Sequence, residues 1–461
     1  MKRLLPKLPR KWLIFSVTAT GTFMGTLDGG IVNIALPAMS KQFGADIESI
    51  QAVVSIYLLA VTCFLPVFGK LSDLYSRKNM YLGGFALFGA GSLLCSLAGN
   101  LPLMILSRAL QGLGASAMMA NSQAIIAKAF TGKDRGRALG GIGAVVALGS
   151  LAGPAVGGFL IQNFGWPSVF WVNLPVCAVG IWRGLMIIPR FKAVNKMRMD
   201  LQGAVYFIMA CFAFLYALNE GTAKSWTSPL ILGAFAAAVV FFGLFYRREK
   251  VSQTPFIGLS IFKIPAISYG YAVATLGFMA IFTNAVLFPF YATDILQIDP
   301  VKTGLLILPF PVALAITSPV SGVLSEKYAA RLITTAGLGF VLIGTLMFAF
   351  IGRNPSYSYI VLAQLVMGCG SGTFQVPNNN TVISAAPKNK LGIVSSVNAL
   401  ARNAGMIMGI ALSIAVYAAV QGYLKAAGAD TDTAFIRGYQ AAMLFGSVLA
   451  AAGGILSAKR D

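Results

Sequence analysis

Long apolar runs recur along this 461-residue chain with only short polar interruptions, and that recurrence decides what the chain can fold into. A helix crossing a hydrocarbon core of about 30 Å needs roughly 20 apolar residues. Cutting the sequence wherever charges, prolines or glycine clusters break such runs predicts fourteen spans: 12–34, 47–68, 80–98, 101–127, 138–161, 168–188, 201–219, 229–246, 267–291, 303–325, 331–351, 356–378, 393–421 and 435–457. They leave about a dozen residues per connection, too few for a soluble catalytic domain, so an enzyme is excluded on space. Charged residues make up 11% of the chain, against roughly 25% in soluble proteins. Histidine is absent, which removes Ser/His/Asp sites, His-ligated metals and His proton relays. The five cysteines (Cys63, Cys95, Cys177, Cys211, Cys369) are scattered in apolar runs and read as buried small hydrophobes. No metal or cofactor is expected, and proton handling falls to carboxylates.

Basic residues test the span count independently, because short cytoplasmic loops carry the Lys/Arg excess. With the N-terminus inside, 27 of the 35 basic residues fall on inner segments or the span ends beside them, 6 on outer loops or the span ends beside them, and Arg108 and Arg402 deeper within spans. An error of one span would scramble this alternation, so both termini are expected in the cytoplasm. The net charge of +21 is then a record of orientation, and nucleic acid is not needed as a partner. The opening MKRLLPKLPRKW looks like a signal n-region, but the run that follows is long and holds Asp28, so an uncleaved first span is expected. No GxxxxGK[ST] occurs, which excludes an ATP-driven pump carried on this chain.

The chain also repeats itself. Gly69-Lys70-Leu71-Ser72-Asp73-Leu74-Tyr75-Ser76-Arg77-Lys78 after span two is echoed by Gly322-Val323-Leu324-Ser325-Glu326-Lys327-Tyr328, with Arg331 following, after span ten. Arg108-Ala109-Leu110-Gln111-Gly112-Leu113-Gly114 of span four is echoed by Gln364-Leu365-Val366-Met367-Gly368-Cys369-Gly370 of span twelve. The unit is six spans, which predicts an N-terminal half over 1–190, two inserted helices over 191–266 and a C-terminal half over 267–461.

The first loop motif resembles GxLaDrxGrk of the major facilitator superfamily, with Ser76 where glycine is usual. Arg108-xx-Gln111-Gly112-x-Gly114 is similar to its RxxqGxGa, and Gly149-Ser150-Leu151-Ala152-Gly153-Pro154-Ala155-Val156-Gly157-Gly158 to its antiporter motif gxxxGPxxGG. Leu27-Asp28-Gly29-Gly30-Ile31-Val32-Asn33-Ile34-Ala35-Leu36-Pro37 resembles LDxtIVNvALP, with Gly30 in place of threonine. Four motifs in order, on the predicted spans, resemble the fourteen-span drug:proton antiporters of the QacA/EmrB type. Departures at Ala52, where relatives carry tryptophan, and at Pro167-Ser168, where an arginine is usual, bear on pocket shape. The resemblance implies an all-α major facilitator fold and proton-coupled export of small amphipathic compounds by alternating access. Multidrug efflux and antibiotic resistance would be its consequence in a bacterial cytoplasmic membrane. The alternative is a dedicated exporter of one endogenous metabolite, lipid or peptide-like product.

An ionised carboxylate inside a span is expensive unless paired or protonated, so Asp28 suits proton coupling, the role the resemblance implies for an acid here; the alternative is a structural carboxylate bonded to neighbours such as Thr26, or an interfacial one. Arg108 is always charged and must face a cavity or a partner; the resemblance implies a part in proton transfer, and a simpler role is clamping its span to carbonyls or to Asp28. Gly69, Asp73, Arg77 and Lys78, with Glu326 and Arg331 in the second half, are candidates for a latch that forms when the cytoplasmic side closes, or serve orientation only. Gly149, Gly153, Pro154, Gly157 and Gly158 let span five pack closely and bend, and the resemblance ties them to export. Candidate substrate contacts are Asn33, Tyr57, Asn121, Gln123, Asn284, Tyr291, Gln375, Asn378, Asn398 and Arg402, with Phe278, Phe282 and Phe288 as an apolar wall. Each polar one could equally be an interhelical hydrogen bonder. Expected partners are a small-molecule substrate, lipid and protons as coupling ion, with the chain working as a monomer.

Overall fold

Apolar segments that must satisfy every backbone N–H and C=O without water become helices. The computed structural model describes residues 9–74, 76–130, 133–189, 200–387 and 390–460, leaving aside some side chains within the helices. Among these residues fourteen helices have 15 residues or more: α1 Arg10–Phe43, α2 Ala52–Leu74, α3 Arg77–Ser96, α4 Leu101–Ala129, α5 Lys133–Phe164, α6 Asn173–Ile187, α7 Leu201–Lys224, α8 Pro229–Val251, α9 Pro265–Phe290, α10 Pro309–Lys327, α11 Ala330–Ala349, α12 Tyr357–Ser384, α13 Leu391–Ala426 and α14 Thr431–Ala458. Eleven helical segments are long and apolar enough to cross a membrane. They do not include α1, α3 and α5, whose runs are diluted by glycine, serine, threonine or charge.

Side-chain caps mark where several helices start. Asp46, Ser76, Asn100, Asp200, Ser228, Asp299, Ser356 and Asp430 each accept a backbone N–H three residues on, satisfying a donor the helix itself leaves open. Ser76, the departure from the loop motif, is one of these caps: it receives the Asn79 N–H at 3.4 Å.

The repeat seen in the sequence reappears as matching contacts. A Cβ added at Gly114 would meet the Gly84 carbonyl at 2.7 Å, and one at Gly370 would meet the Gly337 carbonyl at 2.6 Å, so α3/α4 and α11/α12 cross through the same pair of glycines. Gly112 lies on the Tyr57 carbonyl of α2 and Gly368 on the Phe310 carbonyl of α10. Helices α1 to α6 pack mainly on one another, as do α9 to α14. The two sets meet along two seams, α2 against α13 and α5 against Pro300–Ile307 and α10. The α7/α8 pair packs on the first seam, against α13 and α2. There, Arg248 donates from Nε to both Asp200 oxygens at 3.0 Å.

Apolar packing is uneven along the molecule. At the end remote from the chain termini, one cluster joins both sets, from Ile31, Leu36 and Val53 to Phe288, Tyr291, Ile410 and Tyr417. Toward the termini, Tyr81, Phe85 and Met118 belong to one cluster and Phe278, Leu338 and Phe374 to another, while a further cluster along the α2/α13 seam joins Leu59 and Cys63 to Tyr271, Val394 and Val397. Between them α1 runs past open space: a Cβ at Gly25 or Gly29 would meet nothing within 4 Å, and Gly29 is exposed although mid-helix.

Candidate functional site

Asp28 sits where α1, α3, α4 and α6 converge and is 0% exposed; Arg108 of α4 is 1% exposed. A bare charge there would be prohibitively costly, so its partners decide what it can do. Arg108 donates from NH1 to Asp28 Oδ2 at 2.6 Å, while Oδ1 accepts from Gln111 Nε2 at 2.9 Å and Asn173 Nδ2 at 3.1 Å. Gln111 and Asn173 also donate to the Ser92 hydroxyl, at 2.8 and 3.3 Å. Arg108 donates from Nε to the Val53 carbonyl at 2.9 Å, and its guanidinium lies 4.3 Å from the Tyr57 ring centroid and 5.9 Å from that of Phe170. The carboxylate thus has three side-chain donors and the guanidinium has acceptors and π-faces, which is how an ion pair survives burial.

Helix α1 can come this close to α5 because of the glycine run. Gly149, Gly153 and Gly157 recur every four residues and face α1, where side chains in their place would strike Thr26, the Gly30 backbone and Ile31. Gly158 and Pro154 face the other way. A Cβ at Gly158 would lie 2.5 Å from the Pro300 carbonyl, and one at Gly304 would run into the Pro154 carbonyl. The motif is two-sided: one face holds the helix that carries Asp28, the other closes the remote end against the second half.

The remaining candidates separate by what their polar atoms do. Asn284 accepts from the Tyr439 hydroxyl at 2.6 Å, and Tyr291 donates to the Gly352 carbonyl at 2.5 Å and stacks on Tyr439 at 5.1 Å. Asn378 accepts from Arg460 at 2.7 Å and donates to the Gly270 carbonyl at 3.0 Å. These three tie helices together in this arrangement, the interhelical role left open for each of them; tyrosine and asparagine in an apolar run look alike whichever way they point. Tyr57 serves Arg108. Gln375 donates to Ser371 at 2.5 Å and is half-buried. Asn33 Oδ1, Asn121 Oδ1 and Asn398 Oδ1 are buried without a hydrogen-bond partner, and so is Arg402 Nε. Phe278 and Phe288 belong to the packed core, and Phe282 lies at its half-buried fringe. The side chain of Gln123 lies outside the described residues.

So do the side chains of Asp73 and Glu326, the acidic members of the expected latch. Lys78 donates to the Leu185 carbonyl at 2.6 Å, tying α3 to α6 within one half. Gly69 faces open space, Arg77 opens α3, and the Arg331 carbonyl accepts from Ser457 at 3.4 Å. From this loop region Lys70 reaches beyond the first half, donating to the Pro255 carbonyl at 2.9 Å.

Sequence reasoning found Asp28 and Arg108 but missed Ser92 and Asn173 and gave Gln111 no role. Their signal was weak: an uncharged polar residue in an apolar run is common, and only proximity to Asp28 distinguishes these three.

Comparison with known proteins agrees with this geometry. The family model described as Major Facilitator Superfamily matches residues 18–410. The chain is 32% identical over 413 residues to the riboflavin transporter RibZ of Clostridioides difficile (strain 630), covering 89% of each chain. It is 34% identical over 410 residues to the multidrug resistance protein Stp of Mycobacterium tuberculosis (strain CDC 1551 / Oshkosh), covering 88% of this chain and 76% of that one. It is 28% identical over 422 residues to the multidrug transporter protein MdtP of Bacillus subtilis (strain 168), covering 91% and 77%. Among solved structures, the POT family transporter PepTSo matches with a TM-score of 0.71 over 99% of this chain and 100% of that one, at 14% identity, a likeness of fold alone. A helical membrane fold, a buried ion pair at the crossing of four helices and a match over most of the sequence lead to one conclusion: the chain belongs to the major facilitator superfamily and is a multi-pass membrane transporter, not an enzyme.

Proposed function

We propose that the chain is a proton-coupled antiporter that exports small amphipathic compounds, spanning the bacterial cytoplasmic membrane fourteen times as a monomer with both termini inside. The observation that carries this reading is the buried pair of Asp28 and Arg108, held by Gln111, Asn173 and Ser92, beside an open stretch of α1 at Gly25 and Gly29. In the cycle, the remote seam at Gly158 and Pro300 opens, water from outside reaches Asp28, and a proton from that water binds its carboxylate. The pair separates, Arg108 keeps the Val53 carbonyl and the Tyr57 face, and substrate leaves outward. After return, the proton passes to cytoplasmic water and the pair re-forms. One charge crossing about 100 mV supplies roughly 2.3 kcal/mol, enough for about a 50-fold gradient. The loop residues Arg77, Lys78 and Arg331, with Asp73 and Glu326, are proposed to hold the cytoplasmic end shut in the outward-open half of the cycle, and the α7/α8 pair to flank the moving seam in lipid.

The test is dye export from vesicles under an imposed pH gradient, wild type against Asp28→Asn. Coupling at Asp28 predicts that the variant no longer follows the gradient. Transport that tracks the gradient unchanged would remove Asp28 from the mechanism. A second reading, a dedicated exporter of one endogenous metabolite, is favoured by the match to the riboflavin transporter RibZ over 89% of each chain. A panel of compounds across charge classes separates the two, since a dedicated exporter moves one class and a multidrug exporter several.

A further inference from the structure

We propose that the space between the two halves recognises amphipathic organic monoanions, and that Arg402 takes their charge; this rests on the export reading above and names its substrate class. The charges inside the spanning region do not cancel. Asp28 and Arg108 neutralise each other at 2.6 Å, which leaves that pair no charge to offer a ligand in this conformation. Arg402, in the middle of α13, has neither a hydrogen-bond partner for its buried Nε nor a carboxylate within ion-pair reach among the described residues. Guanidinium is permanently charged, and a span tolerates it only where a partner, water or a ligand meets it.

The neighbours of α13 show where Arg402 points. On one flank Gly405 and Gly409 pack against Thr275 and Met279 of α9. On the other, Ala399 packs beside the first-half cluster that contains Tyr57 and Met118. At 100° per residue Arg402 falls between those flanks, in line with Asn398 one turn before and Met406 one turn after. Asn398 Oδ1 is also buried and unpaired, while Met406, with Phe282 and Phe310, forms the half-buried fringe of the cluster around Phe278 and Phe374. A cation, an amide and an adjoining soft apolar edge suit a ligand with one anionic group on a flat or aliphatic body. Guanidinium pairs bidentately with a carboxylate or similar planar anion.

Two dyes on one xanthene scaffold test this: 3-O-methylfluorescein (here simply fluorescein), whose one charge at neutral pH is a carboxylate, and cationic rhodamine 6G, titrated by anisotropy against purified protein in phosphatidylcholine nanodiscs. Wild type is expected to prefer fluorescein; Arg402→Gln should weaken fluorescein about 10-fold or more and leave rhodamine 6G unchanged or tighter. Because Arg402 makes no hydrogen bond or ion pair among the described residues, the variant should melt no lower than wild type, whereas a structural brace would melt lower and lose both dyes alike. Should Arg402→Gln fail to fold, Arg402→Met, which keeps the apolar stem, carries the same comparison. Unchanged fluorescein binding in a folded variant overturns the assignment, as does displacement of the dye by phosphatidylglycerol, which would make the site one for lipid headgroups. Fluorescein binding without movement of either dye under a pH gradient would sink the export reading and spare this one; export of rhodamine 6G with no fluorescein binding would do the reverse.

Discussion

Replacing Asp28 by asparagine changes one atom and leaves no good orientation for the new side chain. If the amide oxygen stays where Oδ1 is, it still accepts from Gln111 and Asn173, but the NH2 group then faces the Arg108 N–H that now sits 2.6 Å from Oδ2. If the amide flips, the NH2 faces two donors instead. Either way donor meets donor and Arg108, 1% exposed, loses its counter-charge. Removing one partner of a buried pair costs about 3–5 kcal/mol; the retained Val53 carbonyl and Tyr57 face place Asp28→Asn toward the lower end. In Asp28→Asn with Arg108→Gln the clash is relieved, because the glutamine carbonyl can accept from the asparagine amide. The double variant should therefore be about 2–3 kcal/mol more stable than the sum of the single losses predicts. Unfolding in mixed micelles, measured on the four members of this cycle, gives the coupling directly. Additive losses within about 0.5 kcal/mol, or an Asp28→Asn cost below about 1 kcal/mol, would refute the claim that this pair organises the first half.

Two further outcomes follow from other parts of the structure. Gly158→Ala places a Cβ 2.5 Å from the Pro300 carbonyl, and since overpacking costs about 1–3 kcal/mol only while the remote end is closed, the closed population should fall roughly 5- to 150-fold. A thiol introduced as Ile34→Cys, beside Gly304, reads this as faster labelling; an unchanged rate would mean the seam yields without opening. At the other end burial pushes the Asp200 carboxyl up, but the Gly203 N–H, Ser252 and Arg248 outweigh it and hold the group below the usual carboxylate range. A lowered folded-state pKa contributes stability above the unfolded value of about 3.9, lost as pH falls through the folded pKa. Asp200→Asn should therefore be less stable than wild type at neutral pH and converge with it below about pH 4; a gap independent of pH would show that charge is not what holds α7 to α8.

What could be read from the chain and what could not divide along a physical line. Hydrocarbon makes per-residue demands: about 20 apolar positions per crossing, and a conspicuous penalty for each charge. The apolar runs and the two charges among them, Asp28 and Arg108, are answers to those demands, and each was visible without knowing any contact, as was the repeat of a six-span unit in the echoed motifs.

Pairing is different, because it depends on which helices cross and at what height. Eighty positions separate Asp28 from Arg108, and 145 separate it from Asn173, so no local pattern could say that one carboxylate has three donors. Nor could it supply the Tyr439, Gly352 and Gly270 partners of Asn284, Tyr291 and Asn378. Separation along the chain also hid the second face of the glycine motif, since the Pro300 carbonyl that Gly158 accommodates comes from the opposite half. By itself, the sequence determined that the chain is a helical membrane transporter with a charge on its first span, because solvent chooses elements residue by residue. Only the tertiary structure decided that this charge is already neutralised while Arg402 has no ion-pair partner among the described residues, because neutralisation is a property of distances between helices.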